Sequence, residues 1–455
     1  MPTSLEPAVD GAFQLIIDRV AVRGEAAVLW DAGREISADT LLNHADTTLQ
    51  FLTDAGVCSG AIVGFSGDYG LATISTFLAI FKLNAIAVPI STGALAELAL
   101  LQSEAQIEFW FDINTGDVTR LNGQPTAHPL VLQLRASGHA GLIVFTSGSS
   151  GKPKAILHDV ERVASKFIAV RPGWRMVMFL LIDHFGGFNT LLACLAYGGV
   201  GVCVSSRTPT GVCSAIVDAR PNLLPTTPTF LSVLMASGAW RTHDLSSVKL
   251  VTYGAEPMPE STLRKLPAIF PRAVFKQTYG LSELGVLHSD SKSSDSLWLR
   301  VGGKDFETRV IDGLLHIRSK SSMLGYLNAP TTIDADGWMN TGDMVEQDGD
   351  LIKVIGRKSD VINVGGQKVF PVEIEAVLLS SPEVVEATVF AIAHPVLGQV
   401  VGARLSLQSD CDEAAAMLKI KANCKAQLQK YKVPMRFELV GVDQHGNERG
   451  KKIRR

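Results

Sequence analysis

The chain lacks any large surplus of charge. Its 42 lysines and arginines stand against 45 aspartates and glutamates, a formal net charge of −3. That balance gives no electrostatic footprint for nucleic acid, and a small molecule is the expected partner. Paired cysteines are missing too: positions 58, 194, 203, 213, 411 and 424 contain no Cys-x-x-Cys and no metal-finger spacing. Reduced thiols in a cytoplasmic protein are the simplest account. Met1 to Pro7 holds no basic region followed by an apolar run, so no secretory leader is expected. Internal repeats and low-complexity tracts are absent. The uncharged stretch Phe185 to Ser206 is long enough for a membrane span. Its glycines at 186, 187, 198, 199 and 201, with Asn189 and Ser205, favour a buried helix followed by a strand.

What is present is a globular chain of more than one domain. At 455 residues, with 46% hydrophobic and 19% charged content, it exceeds the ~250–300 residues at which single cores stop growing. Short apolar runs such as Ala61 to Phe65, Ala85 to Pro89, Val200 to Val204 and Lys249 to Tyr253 alternate with helical patterns over the first 280 residues or so. That alternation reads as α/β, with ligands beyond the strand ends. From Val301 to Lys353 short strands alternate with turns, as in Thr308 to Ile317, which predicts a small β subdomain. Beyond Arg357–Asp360, a proline-opened helix at Pro371 to Leu378, a strand at Glu386 to Ile392 and a helix at Glu413 to Gln429 predict a compact α+β domain. The expected division is a large domain over 1–356, a hinge at 357–360 and a small domain over 361–455.

Five polar islands interrupt this background. Gly141 to Phe145 empties into Thr146-Ser147-Gly148-Ser149-Ser150-Gly151-Lys152-Pro153-Lys154, where glycines permit close approach and clustered donors and lysines suit phosphate oxygens. The common NTPase loop is excluded, because only two residues separate Gly148 from Gly151 and Pro153 replaces the magnesium-binding hydroxyl. Alone, the segment also reads as a surface turn. In Thr278-Tyr279-Gly280-Leu281-Ser282-Glu283 an aromatic ring can cover a purine and a carboxylate can hold magnesium, although a strand–turn–helix junction would look alike. Thr341-Gly342-Asp343 offers a carboxylate for ribose hydroxyls, or a plain Asp turn. Gly356 to Asp360, followed by Val364-Gly365-Gly366-Gln367-Lys368, is hinge-like, and Gly446 to Arg455 ends the chain in a basic run.

In this order the islands resemble the adenylate-forming superfamily of acyl-CoA and aryl-CoA ligases, peptide-synthetase adenylation domains and luciferases, from about residue 30 onward. The resemblance implies a phosphate loop at Thr146, Ser147, Gly148, Ser149, Ser150, Gly151 and Lys154. It implies an adenine frame of Gly254-Ala255-Glu256-Pro257 with Thr278, Tyr279, Gly280 and Ser282, and ribose held by Asp343 and Arg357. Lys368 joins the nucleotide-binding set, Glu283 and Thr146 would hold Mg²⁺, and Lys451 would be the catalytic lysine. Ser359 matches the hinge, and Asn363, Gly365 and Gly366 the strand lining the thiol tunnel. Counting back from Tyr197-Gly198-Gly199 places His184 at a gate position occupied by histidine in aryl- and acyl-CoA ligases. Asp183 lies one place from the aspartate of amino-acid-activating domains, which disfavours an amino-acid substrate. Phe185, Gly186, Gly187, Phe188, Tyr253, Leu281 and Val286 are candidate pocket lining, the two glycines leaving room for an aryl or apolar acyl group.

The activity so implied is ATP-dependent formation of an acyl-adenylate from a carboxylic acid, then transfer of the acyl group to the thiol of CoA. Two departures are Ala155 where the family generally has glycine, and Asn84 where a turn often has it. The short N-terminal region keeps a second acceptor open: the phosphopantetheine of an acyl carrier protein, or an amine. A nucleotide-binding regulator without catalysis is a reading of another class. It would be expected to lack Glu283 or Lys451, and both are present.

Overall fold

This computed structural model describes residues 10–121, 126–147, 152–303, 305–408, 411–441 and 444–445. Two seven-stranded sheets form the large part of the molecule. In one, the parallel strands Phe109–Phe111, Ile62–Ser66, Ile86–Ile90 and Gly141–Ser147 are flanked by antiparallel partners, among them Pro153–Asp159 and Gly325–Tyr326. In the other, five parallel pairings join Val274–Gln277, Leu250–Tyr253, Leu223–Thr226, Arg175–Met178, Val200–Cys203 and Ala27–Asp31, before an antiparallel edge at Arg34–Ser37. Strands buried on both faces need apolar runs rather than alternation, which is why the runs stand out in the sequence.

The uncharged stretch resolves as predicted, into helix Phe185–Ala196 and strand Val200–Cys203. Helix Leu71–Lys82 is buried at nine consecutive positions. Phe77 and Phe81 of that helix meet Phe188 at 5.8 Å each. Ser75 and Thr76 among the buried positions donate back to the Leu71 and Ala72 carbonyls at 2.6 and 2.8 Å, which lets the helix be buried all round. No helix among the described residues is long and apolar enough to cross a membrane. Asn84 takes φ 51°, the left-handed region that asparagine tolerates best after glycine, so the turn survives the exchange.

The small β subdomain is a six-stranded antiparallel sheet containing Trp338–Asp348 and Leu351–Arg357. After Arg357 the chain makes a single turn of 3₁₀ helix at Lys358–Asp360 and enters a different sheet at Ile362–Val364. That sheet packs with helices Pro371–Leu379 and Glu413–Gln427 around its own core of Ile362, Val369, Ile374, Leu378, Val389 and Ile420. Pro371 stands in the first turn of its helix, where the missing N–H costs nothing. Asp412 caps the other by accepting from the Ala414 and Ala415 amides at 2.9 and 3.1 Å.

Candidate active site

A cavity of about 620 Å³ opens between the large part and the C-terminal domain. Its lining draws Ala255, Glu256, Pro257, Thr278, Tyr279, Gly280, Leu281, Asp343, Arg357 and Ser359 together from four distant segments. All ten are residues the sequence marks. Asp343 and Arg357 face each other across paired strands. The Arg357 Nε donates to Asp343 Oδ1 at 3.2 Å and the Tyr279 hydroxyl to Oδ2 at 2.5 Å. Burial pushes the Asp343 carboxyl above its ordinary value, while Arg357 and Tyr279 oppose the rise. A buried carboxylate with one cationic and one hydroxyl partner is poised to accept further donors, as ribose hydroxyls would be.

The segments expected to frame adenine are held by backbone constraints. A Cβ on Gly254 would come within 2.4 Å of Thr278 Oγ1 and 2.7 Å of its carbonyl, so glycine lets the two segments touch. Thr278 in turn donates its amide and hydroxyl to the Tyr253 carbonyl at 2.8 and 3.1 Å. Ala255 takes φ 68°, and the Glu256 carboxylate accepts from the Thr229 amide and hydroxyl at 3.2 and 2.5 Å. That carboxylate lies at the start of helix Pro228–Ser237, where the helix dipole favours it.

Glu283 and Lys154 meet on a residue that the sequence reading missed. The Tyr326 hydroxyl donates to Glu283 Oε1 at 2.8 Å, and the Lys154 ammonium lies 4.9 Å from the centre of the same ring. Asn328 holds the adjoining strand, accepting from the Ala155 amide at 3.0 Å and donating to the Pro153 carbonyl at 2.8 Å. The only sequence signal was Gly325-Tyr326, an aromatic beside glycine as at Tyr279-Gly280. Thr146 pairs with Lys154 across the hairpin and is partly exposed. No His/Cys/Asp/Glu cluster of metal-binding size occurs among the described residues. A carboxylate that Tyr326 ties to the hairpin of Gly141–Ser147 and Pro153–Asp159, with the Thr146 hydroxyl on that hairpin, fits Mg²⁺, which takes one or two carboxylates plus substrate phosphates.

The remaining predicted positions divide. Asn363, Gly365, Gly366 and Lys368 are exposed on a hairpin of the C-terminal domain and do not line the cavity. Ser282 and His184 are partly exposed, and His184 precedes helix Phe185–Ala196 as its N-cap. Asp183 is buried and accepts from the Ser91 amide and hydroxyl at 3.2 and 2.7 Å, a structural use. Tyr253, Phe185 and Phe188 are core residues. Gly187 leaves no room: a Cβ there would meet the Leu181 carbonyl at 2.0 Å. Gly186, Leu281 and Val286 remain partly open. His158, unmarked by any motif, is fully buried with its ring 4.6 Å from Phe185, and burial drives its pKa to about 3. Gly148, Ser149, Ser150, Gly151 and Lys451, and the side chain of Ser147, lie outside the described residues.

Residues 17–327 match the model of the AMP-binding enzyme family, and residues 373–450 that of the AMP-binding enzyme C-terminal domain. The chain is 28% identical over 310 residues to 4-coumarate–CoA ligase 2 of Oryza sativa subsp. japonica, covering 60% of this chain and 54% of the relative. It is 27% identical over 434 residues to a fatty acid–[acyl-carrier-protein] ligase of Mycobacterium marinum, covering 85% and 80%. Among five similar CoA ligases the match spans 52% to 66% of the relative's length. The crystal structure of an anthranilate CoA ligase with anthranoyl-AMP shares the fold at a TM-score of 0.81 and 21% identity, covering 99% of this chain and 96% of that one.

Proposed function

The chain belongs to the AMP-binding enzyme family, and from that premise we propose that it is an ATP-dependent acid–thiol ligase. In the first step a carboxylate oxygen attacks the α-phosphorus of ATP, the bond to the bridging oxygen breaks, and pyrophosphate leaves an acyl-adenylate. In the second a thiolate, that of CoA in the first reading, attacks the acyl carbon and AMP departs. The observation that carries the proposal is the Tyr279–Asp343–Arg357 contact inside one cavity. One strand hairpin and a segment some 64 residues before it there offer a ribose acceptor, a cation and an aromatic face side by side.

Attack of one anion on another needs charge neutralisation and positioning. Asp343 and Arg357 would fix the ribose, and the 254–257 loop with Tyr279 the base. Lys154 and the 146–151 loop would surround the departing phosphates. Mg²⁺, when bound at Glu283 and Thr146, supplies further neutralisation of phosphate charge. Tyr326 orients Glu283 for this, and Lys451 would bring its ammonium to the developing charge. The acid would enter between helix Phe185–Ala196 and the hairpin of Tyr279–Leu281 with Gly285–Leu287.

The acceptor is tested with purified protein, an acid that it activates, ATP, Mg²⁺ and CoA. Acyl-CoA and AMP in equal amounts are expected. AMP release that appears only with a carrier protein or an amine would replace CoA as acceptor, in keeping with similarity to a carrier-protein ligase.

A further inference from the structure

Lys166 lies away from every motif, in the 3₁₀ turn Ser165–Phe167 after the short helix that follows strand Pro153–Asp159. Its ammonium donates to Asn189 Oδ1 and, at 3.0 Å, to the Val286 carbonyl, and it lies 4.9 Å from the centre of the Phe167 ring. Both hydrogen-bond partners are neutral. Asp305, the acid whose field reaches it, is itself paired with Lys320 at 3.3 Å. Burial lowers the Lys166 pKa to about 7, with Arg171 adding to the fall and Asp305 opposing it. Lys166 is partly buried, and an ammonium there with only neutral hydrogen-bond acceptors has room in its electrostatics for a counter-ion.

Its partners fix where that counter-ion would arrive. Asn189 stands one turn into helix Phe185–Ala196, and Val286 is paired with Gly280, which lines the nucleotide cavity. The proposed function puts the acid beside these two elements, which pack on each other next to the cavity wall at Gly280 and Leu281. Because lysine only donates, Asn189 must turn its oxygen to Lys166, leaving its amide N–H groups for another acceptor. We propose that the acid carries a second acidic oxygen, a carboxylate or acidic hydroxyl, at the end remote from the activated carboxyl, and that Lys166 and Asn189 receive it. This rests on the adenylation reading, and it narrows the apolar acid suggested by the sequence to one with a polar terminus.

The test is acid-dependent ATP–pyrophosphate exchange with matched acids: cinnamate against 4-hydroxycinnamate and 4-carboxycinnamate, and 3-phenylpropanoate against its 4-carboxyphenyl counterpart. The wild type should favour the doubly acidic member at least tenfold in kcat/KM, mainly through KM. Lys166→Met should bring the ratio within twofold, and Lys166→Arg should keep most of it. Preference for the unsubstituted acids, or a preference that survives Lys166→Met, overturns the proposal. Calorimetric titration of the same acids without ATP gives a second readout. If exchange is silent throughout, the adenylation reading fails, whereas tighter binding of the doubly acidic members that Lys166→Met abolishes still supports this site. Equal or absent binding within each pair overturns it. Should Lys166→Met not fold, the wild-type preference and Lys166→Gln decide.

Discussion

Asp343 is 6% exposed and holds two partners before any ligand arrives. Asp343→Asn should weaken ATP binding ~10- to 100-fold, on the order of 1–3 kcal/mol for bonds to a charged acceptor, with little change in the thermal midpoint. Calorimetric titration with ATP checks this. Lys166 yields a pH prediction. With a folded pKa near 7 and an ordinary value of 10.5, it is charged in both states below pH 7. Between the two values only the unfolded chain keeps the proton, so stability should rise with pH there. Urea unfolding at pH 6, 8 and 9.5 should show wild type gaining stability relative to Lys166→Met as pH rises above 7; a flat difference would contradict the shift. Tyr279, Asp343 and Arg357 were legible because each sits in a spaced motif. Tyr326, Asn328, His158 and Lys166 were not, because their hydrogen-bond partners and the ring beside His158 lie 23 to 224 positions away and nothing local marks them.

At the scale of elements, adjacent glycines proved unlike. Periodicity and absent charge foretold helix Phe185–Ala196, yet a glycine reads the same whether it leaves space or is forced by its lack. Gly187 is forced, with the Leu181 carbonyl 2.0 Å from any added Cβ, whereas Gly186 would meet only Leu180 Cδ1 at 3.3 Å. Gly187→Ala should therefore lower stability by ~1–3 kcal/mol through overpacking, measured by urea unfolding. Gly186→Ala should cost less and shift the range of acids activated. The reverse order would contradict the packing. The β subdomain and the α+β C-terminal part were foretold from alternation and a proline-opened helix. Pairing of Gly325–Tyr326 with strand Pro153–Asp159 was not, because a two-residue strand has no period to read.

For the molecule as a whole, the cavity is shared by both parts: Phe370, Glu375 and Phe390 of the C-terminal domain face Thr229 and Ala255 across it. Such an arrangement suits a reaction in two stages with a moving domain. Lys451→Ala is expected to abolish adenylate formation and spare thiol transfer from a synthetic acyl-adenylate; equal loss of both would defeat that assignment. The central claim is that the cavity adenylates an acid, and exchange of labelled pyrophosphate into ATP tests it most directly. Label should enter ATP only when Mg²⁺ and a suitable acid are present, and Glu283→Ala should suppress it. No label with any acid, or cleavage of ATP to ADP and phosphate, would contradict the account.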